Sequence, residues 1–372
     1  MDHAHLLDRS LECCPSTQLG EISRQRLADD VTEAVGIVPT VRLRRISEQC
    51  ARHDMYLKME ACNPGGSIKE KNAVYLIRDA EARGLLGAGG TIVESSSGNF
   101  GIGLAMVGAS RGYRVMIVVD AKTSPPMRRI LKAYGAELID VPLTEADANG
   151  SMQVARMRKA AALAESIEGA WYPCQHKNPL NPMAHYEFTS REIIADFGGS
   201  APDVLVIGVS TAGQLGGISR YFREHFPSTS IVGVDVAGSV IFNTPAHSYK
   251  MTGLGLSFVP PNYNPQQIDE AYIVGDELSF SVCRSLARLE GLLLGASTGA
   301  IVTAGISVAR RRQGRSRILM VNPDRGDRYL ETVFNDEWLE KQGMRLLNDV
   351  EISERIEALA PVPHNVLKQD ND

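Results

Sequence analysis

The chain has 372 residues, of which 44% are hydrophobic, enough to fill the cores of two domains of ordinary size and too many for a disordered polypeptide. A formal net charge of -5 with both signs interspersed argues against a nucleic-acid partner, and the short basic clusters at 42–45 and 310–312 read as solvated faces. The cysteines at Cys13, Cys14, Cys50, Cys62, Cys174 and Cys283 have neither zinc-site nor disulfide-framework spacing, which predicts reduced thiols and no metal. The opening Met1-Asp2-His3-Ala4-His5 is not a basic segment leading into an apolar run, and no stretch is apolar enough to span a bilayer, so the expectation is a soluble cytoplasmic protein with no membrane partner.

Residues 1–33 lack a strand pattern and read as a helical or partly ordered leader. From Thr91 onward, short β-branched runs alternate with longer helical patterns. Strands are predicted at 91–93, 114–119, 136–141, 204–209, 231–236 and 318–321, with helices at 101–111, 126–134 and 152–167 between them. Buried strands joined by helices imply an α/β fold of two lobes, each a parallel-type sheet flanked by helices. The predicted organisation is a leader over 1–33, a larger cofactor-binding lobe over 34–90 and 176–340, a smaller mobile substrate lobe over 91–175, and a tail over 341–372 with one amphipathic helix at 349–359.

Chemistry concentrates in four turns. Asn63-Pro64-Gly65-Gly66-Ser67-Ile68-Lys69 sets a lysine between a rigid turn and a helical run, where its amine can meet a cofactor aldehyde. Such a lysine must be partly desolvated, so that its pKa falls, and must stand close to a fixed phosphate site. A phosphate needs converging N–H donors at a helix N-terminus, with glycine allowing close backbone approach. Ser210-Thr211-Ala212-Gly213-Gln214 follows a predicted strand and precedes a helical segment, which is that arrangement. Ser95-Ser96-Ser97-Gly98-Asn99 and Gly295-Ala296-Ser297-Thr298-Gly299 are the other two turns, each after an apolar run and before a helical pattern.

Taken in this order, the four turns resemble the pyridoxal-phosphate enzymes of the cysteine synthase and cystathionine β-synthase family, over roughly residues 33–340. Residues 63–71 are similar to the family's N-P-x-x-S-x-K-x-R element, with Glu70-Lys71 where Asp-Arg is usual, so Lys71 is expected to be structural. The resemblance implies fold type II, the tryptophan synthase β-like architecture, with pyridoxal 5'-phosphate on Lys69 as catalytic lysine and a homodimeric assembly. It also implies that Ser210, Thr211, Ala212, Gly213 and Gln214 cup the cofactor phosphate, that Asn99 bonds the ring oxygen, and that Ser297 bonds the pyridine nitrogen. A neutral hydroxyl at that nitrogen makes the ring a weaker electron sink and favours chemistry at the β-carbon. Ser96, Ser97, Gly98 and Gln175 are implied as substrate-carboxylate donors, and Gly253, in Lys250-Met251-Thr252-Gly253-Leu254-Gly255, as part of the loop beside the substrate. Gln214 and Phe100 replace threonines of the family pattern; Phe100 removes a hydroxyl and adds bulk, which points to a substrate set other than the usual one. Asp324 to Leu330 resembles the family's G-x-R-Y-L close.

Within the family, Gly65-Gly66-Ser67, the triple serine before Gly98, Tyr172-Pro173-Cys174-Gln175 and the 329–339 ending look closest to the synthases of 2,3-diaminopropionate pathways. That likeness implies β-replacement on small amino-acid substrates: O-phospho-L-serine loses phosphate to give an aminoacrylate, and L-glutamate adds through its amino group. The product would be N-(2-amino-2-carboxyethyl)-L-glutamate, destined for siderophores or peptide antibiotics. The alternative is a cysteine synthase or O-phosphoserine sulfhydrylase that uses sulfide. For the donor phosphate, a guanidinium offers bidentate contacts, and Arg156 or Arg158 is the candidate.

Overall fold

The computed structural model describes residues 27–50, 53–147 and 150–368; Cys13, Cys14 and most of the predicted leader lie outside the described residues. Two sheets form the frame. The larger orders its strands β1 (Thr40–Arg42), β2 (His53–Met59), β10 (Ser316–Asn322), β7 (Val204–Gly208), β8 (Ser230–Val236) and β9 (Glu270–Val274). All its neighbours are parallel except β1 on β2. The smaller is wholly parallel, in the order β5 (Glu137–Val141), β4 (Arg114–Asp120), β3 (Thr91–Ser95), β6 (Ala170–Trp171).

Alternation along each strand divides the cores. Val204 and Val206 face one side with Val232, Val234, Ile318 and Met320, whereas Leu205, Ile207, Ile231, Leu319 and Val321 face the other. The period of two sends successive side chains to opposite faces, and helices cover both, so these strands read as continuous apolar runs. The smaller sheet behaves alike, with Ile92, Val115 and Ile117 on one face and Val93, Met116 and Val118 on the other. Every strand predicted from an apolar run is present.

Two segments differ from their expected placement. The Lys69–Ala82 helix, expected with the larger lobe, buries Ala73, Val74, Leu76 and Ile77 in the same cluster as Ile92 and the Asn99–Arg111 helix, so it belongs to the smaller core. Residues beyond 340 are not a detached tail: Leu347 and Ile356 enter the larger core, and Leu367 enters its other face. The Asp349–Ala358 helix starts with a capping box between Asn348 and Glu351, in which each side chain bonds the other's backbone N–H.

β1, β2, β6 and β9 were not predicted, and β2 shows why. His53-Asp54-Met55-Tyr56-Leu57-Lys58-Met59 alternates polar with apolar like a half-exposed strand, yet Lys58 is fully buried. Its Nζ pairs with Asp196 at 2.7 Å and Glu192 at 3.2 Å. Lys71, also fully buried, pairs with Glu60 at 2.7 Å and with Glu192 at 2.9 Å. Burial alone would lower the Lys71 pKa, but the two carboxylates more than offset it and hold the ammonium above its usual range. The ion pairs thereby tie β2, the Lys69–Ala82 helix and the Ser190–Asp196 helix together. Lys71→Met would leave Glu60 and Glu192 without this cation, and breaking a buried pair costs about 3–5 kcal/mol. Urea unfolding of that variant is expected to show a loss of this size; a midpoint within error of the parent would contradict the structural assignment of Lys71.

Candidate active site

Lys69 opens its helix directly after the Pro64-Gly65-Gly66-Ser67 turn. Glu70 clamps that turn, its carboxylate accepting from the N–H of Gly65 at 2.7 Å and of Ser67 at 2.8 Å. Gly66 is needed at φ 86°, and a Cβ there would lie 2.5 Å from Arg325 Cδ. The turn is docked on the end of β10: Ile68 N–H donates to the Pro323 carbonyl at 2.8 Å, and Ser67 bridges Asp324. The lysine therefore stands where the two sheets meet, at a cavity of about 720 Å³ lined by Lys69, Ser96, Asp120, Gln175, Thr211 and Gly253 among others. Parallel strands put their C-terminal ends, and the loops after them, on the same side of each sheet.

Burial pushes the Lys69 amine down to about 8, with Asp324 acting in the opposite sense. Part of the side chain remains open to the cavity. Behind the Ser210–Gln214 loop, Ala212 adopts φ 59°, in the left-handed region, and starts the 13-residue Gly213–His225 helix, whose first amides no side chain caps. Uncapped amides with the helix dipole behind them suit a phosphate. Gln214 does not turn to the cavity; its Nε2 donates to the Gly208 carbonyl at 2.6 Å. A lowered amine open to the cavity, together with an uncapped helix N-terminus beneath Ser210 and Thr211, fits a phosphorylated aldehyde cofactor.

The other predicted residues converge on the same space. Ser96, Ser97, Gly98, Asn99 and Gln175 line the cavity. Ser96 Oγ is partly engaged, accepting from the N–H of Gly101 at 3.0 Å, and Gln175 Nε2 donates to the Ser95 carbonyl at 3.5 Å. Ala296 lines the cavity; Ser297 is nearly buried beside it, its Oγ 3.7 Å from where a Cβ on Gly253 would lie. Arg156 lines the far wall, 93% buried, with Nη1 2.8 Å from Asp120 and Nε without a partner. Arg158 is a correction: it is exposed on the outer face of the Gln153–Ser166 helix and does not line the cavity. Cys50, Cys62, Cys174 and Cys283 are free thiols.

Sequence reasoning missed the residues that hold these loops together. Asn181 Nδ2 donates to the Gln175 carbonyl at 2.7 Å and to Thr211 Oγ1 at 3.0 Å, while its Oδ1 accepts from Asn72 of the lysine helix at 2.6 Å. A Cβ on Gly213 would stand 2.2 Å from Asn181 Oδ1, so glycine there serves close packing. Asp324 accepts from Asn99 Nδ2 at 2.7 Å and from the Tyr329 hydroxyl, and Arg328 donates to Asn99 Oδ1 and to the Gly65 carbonyl. Both ends of the Asn99 amide are thus partnered, and contact with a cofactor ring would exchange one of them. The N-P-x-N-P spacing and the Asp324–Leu330 ending carried the signal for these residues, but their partners lie about 30 to 260 positions away in the chain.

A sequence model described as pyridoxal-phosphate dependent enzyme matches residues 31–324. The N-(2-amino-2-carboxyethyl)-L-glutamate synthase of Cupriavidus metallidurans is 37% identical over 322 residues, covering 86% of this chain and 93% of that protein. Among solved structures, O-ureido-L-serine synthase aligns with a TM-score of 0.77 at 34% identity, covering 85% of this chain and 100% of that one. The O-acetylserine dependent cystathionine beta-synthase of Helicobacter pylori aligns with a TM-score of 0.75 at 31% identity, covering 82% and 98% respectively.

A free amine appears as pH rises through the pKa, and an unperturbed lysine titrates at about 10.4. In cofactor-free protein, acylation read by mass spectrometry is expected to reach half-maximum at Lys69 near pH 8. A half-maximum at the unperturbed value of about 10.4 would contradict the lowered Lys69 amine.

Proposed function

The chain belongs to the pyridoxal-phosphate-dependent enzymes of fold type II, and within that family we propose that it is an N-(2-amino-2-carboxyethyl)-L-glutamate synthase. It takes O-phospho-L-serine as donor, replaces the phosphate at the β-carbon with the amino group of L-glutamate, and releases inorganic phosphate. The observation that carries this reading is the 37% identity to a synthase of that name, spread over 322 residues rather than confined to the cofactor loops.

The cofactor, when bound, supplies an electron sink for negative charge at the substrate α-carbon. Lys69 anchors it and, once displaced by the substrate amine, removes the α-proton; an amine with a pKa of about 8 is suited to that exchange near neutrality. Ser210, Thr211, Ala212, Gly213 and Gln214 hold the phosphate of the cofactor through their amides and the Thr211 hydroxyl, and Asn181 fixes that hydroxyl. Ser297 faces the ring nitrogen and Asn99 the ring oxygen. Ser96, Ser97, Gly98 and Gln175 receive the substrate carboxylate, and Gly253 leaves room beside it at φ 91°. Arg156 meets the donor phosphate: it is buried in the wall, and its Asp120 partner keeps the guanidinium fixed while one nitrogen stays unpartnered. The product supplies 2,3-diaminopropionate for siderophore or peptide-antibiotic assembly.

Purified protein offered O-phosphoserine or O-acetylserine, each with glutamate or sulfide, is expected to yield the carboxyethyl-glutamate adduct and free phosphate by mass analysis. Cysteine as the sole product would place it among the sulfhydrylases. Arg156→Ala is expected to lower O-phosphoserine turnover about 100-fold, the loss of one charge-assisted contact of roughly 2–3 kcal/mol. Arg158→Ala should stay within about twofold of the parent, as an exposed surface change does. Equal effects of the two substitutions would dismiss Arg156 as the phosphate contact.

A further inference from the structure

His176 stands in the cavity wall directly after Gln175. It is 94% buried. Its ring packs against Phe258 from the larger lobe, centroid to centroid 5.8 Å. Nδ1 is sealed inside the wall without a partner, which leaves Nε2 as the ring nitrogen that can meet a group in the cavity. An imidazole this buried needs a hydrogen-bond partner, and a ligand at Nε2 would supply one. Lys69 and Arg156 are the charged groups that act on it, and Asp120 pairs with Arg156 behind it. The ring therefore lies within electrostatic reach of both the lysine and the arginine placed at the donor phosphate.

We propose that His176 receives the incoming amine nucleophile and accepts its proton, so that it selects amines over nucleophiles that arrive already deprotonated. The proposal rests on the amine-acceptor reading above. An amino acid reaches the site as an ammonium with no lone pair to give. His176 takes one N–H proton onto the ring nitrogen that faces the cavity. The freed lone pair forms the N–C bond to the substrate β-carbon, the electron pair of the Cα=Cβ bond moves to Cα, and Lys69 returns a proton there. The product keeps the remaining two protons on its secondary ammonium, and the proton on His176 leaves to solvent or with phosphate. Burial first, then Arg156 and Lys69, hold the imidazole down to about 4, and so neutral in the resting site. The phosphate released from the donor, while still held on Arg156, cancels one of those cations and raises the basicity of the ring when the amine must be activated.

The test uses the holoenzyme with O-phosphoserine and either L-glutamate or sulfide, in the parent, His176→Gln and His176→Phe. Loss of a general base lowers a rate about 10²–10⁴-fold. The expected result is a loss of that order in kcat for the glutamate adduct in both variants, with sulfide turnover within about twofold of the parent. The residual glutamate rate should rise tenfold per pH unit toward the pKa of the free amine. Ring nitrogen NMR of the parent titrated with inorganic phosphate should move the His176 midpoint upward. Equal losses with both nucleophiles, an unchanged pH profile or an unmoved midpoint would overturn the proposal alone. A parent enzyme that forms no carbon–nitrogen adduct removes the amine-acceptor reading and the proposal with it.

Discussion

The site depends on one tie between distant segments: the Lys69 turn docked onto the end of β10. Ile68 N–H donates to Pro323, Ser67 bridges Asp324, and Arg325 N–H returns to the Gly66 carbonyl at 3.2 Å. These are backbone contacts, so they fix the turn whatever side chains surround it. The helix that follows packs on the smaller core, while β10 lies inside the larger sheet. Lys69 is held at the junction by both. Arg328 adds a side-chain tie from the same β10 ending, reaching the Gly65 carbonyl and the Asn99 amide at once. The lysine loop and the serine-rich loop thereby share a single anchor.

Low polarity around the junction then sets the protonation states. Burial lowers the Lys69 and His176 pKa values and raises that of Glu94 to about 8, although Glu94 accepts from the N–H groups of Ser95 and Gln175. Asp324 is raised by the same cause and keeps one oxygen without a partner. Bases made less basic and acids made less acidic are what a site needs if it is to pass protons near neutral pH. The cost is a cavity rim that is stabilised elsewhere, by buried pairs such as Lys71 with Glu60.

The sequence was most legible where local rules decide the structure. β7 and β8 were readable because a strand buried on both faces is a plain apolar run, and the helix start after β7 because that run is followed by small polar residues and glycine. β2 was not, because Lys58 is buried by ion pairs with residues more than 130 positions away. The four chemical turns were found by their order and their resemblance to a family. Asn181, Asp324, Arg328 and His176 were passed over as hubs, although Asp324 and Arg328 lie in an ending that resembles the family's, because the partners that make them hubs are distant in the chain. Their importance is a property of what the fold brings to them.

Two departures from the family pattern, Phe100 and Gln214, illustrate the same point. Phe100 looked like added bulk in the substrate space, yet only 2% of it is exposed and it belongs to the smaller core with Ile102 and Leu104. Its ring fills the interior beneath the serine loop, so most of its volume is spent on packing rather than on the substrate. Gln214 lost a hydroxyl from the phosphate loop but turned its amide back onto the Gly208 carbonyl, closing the end of β7. Phe100 still lends an edge to the cavity lining, and in the opposite wall Arg156 Nε and His176 Nδ1 are buried without partners. Loops that bind the common cofactor are constrained to stay alike, and walls that meet different substrates are free to differ.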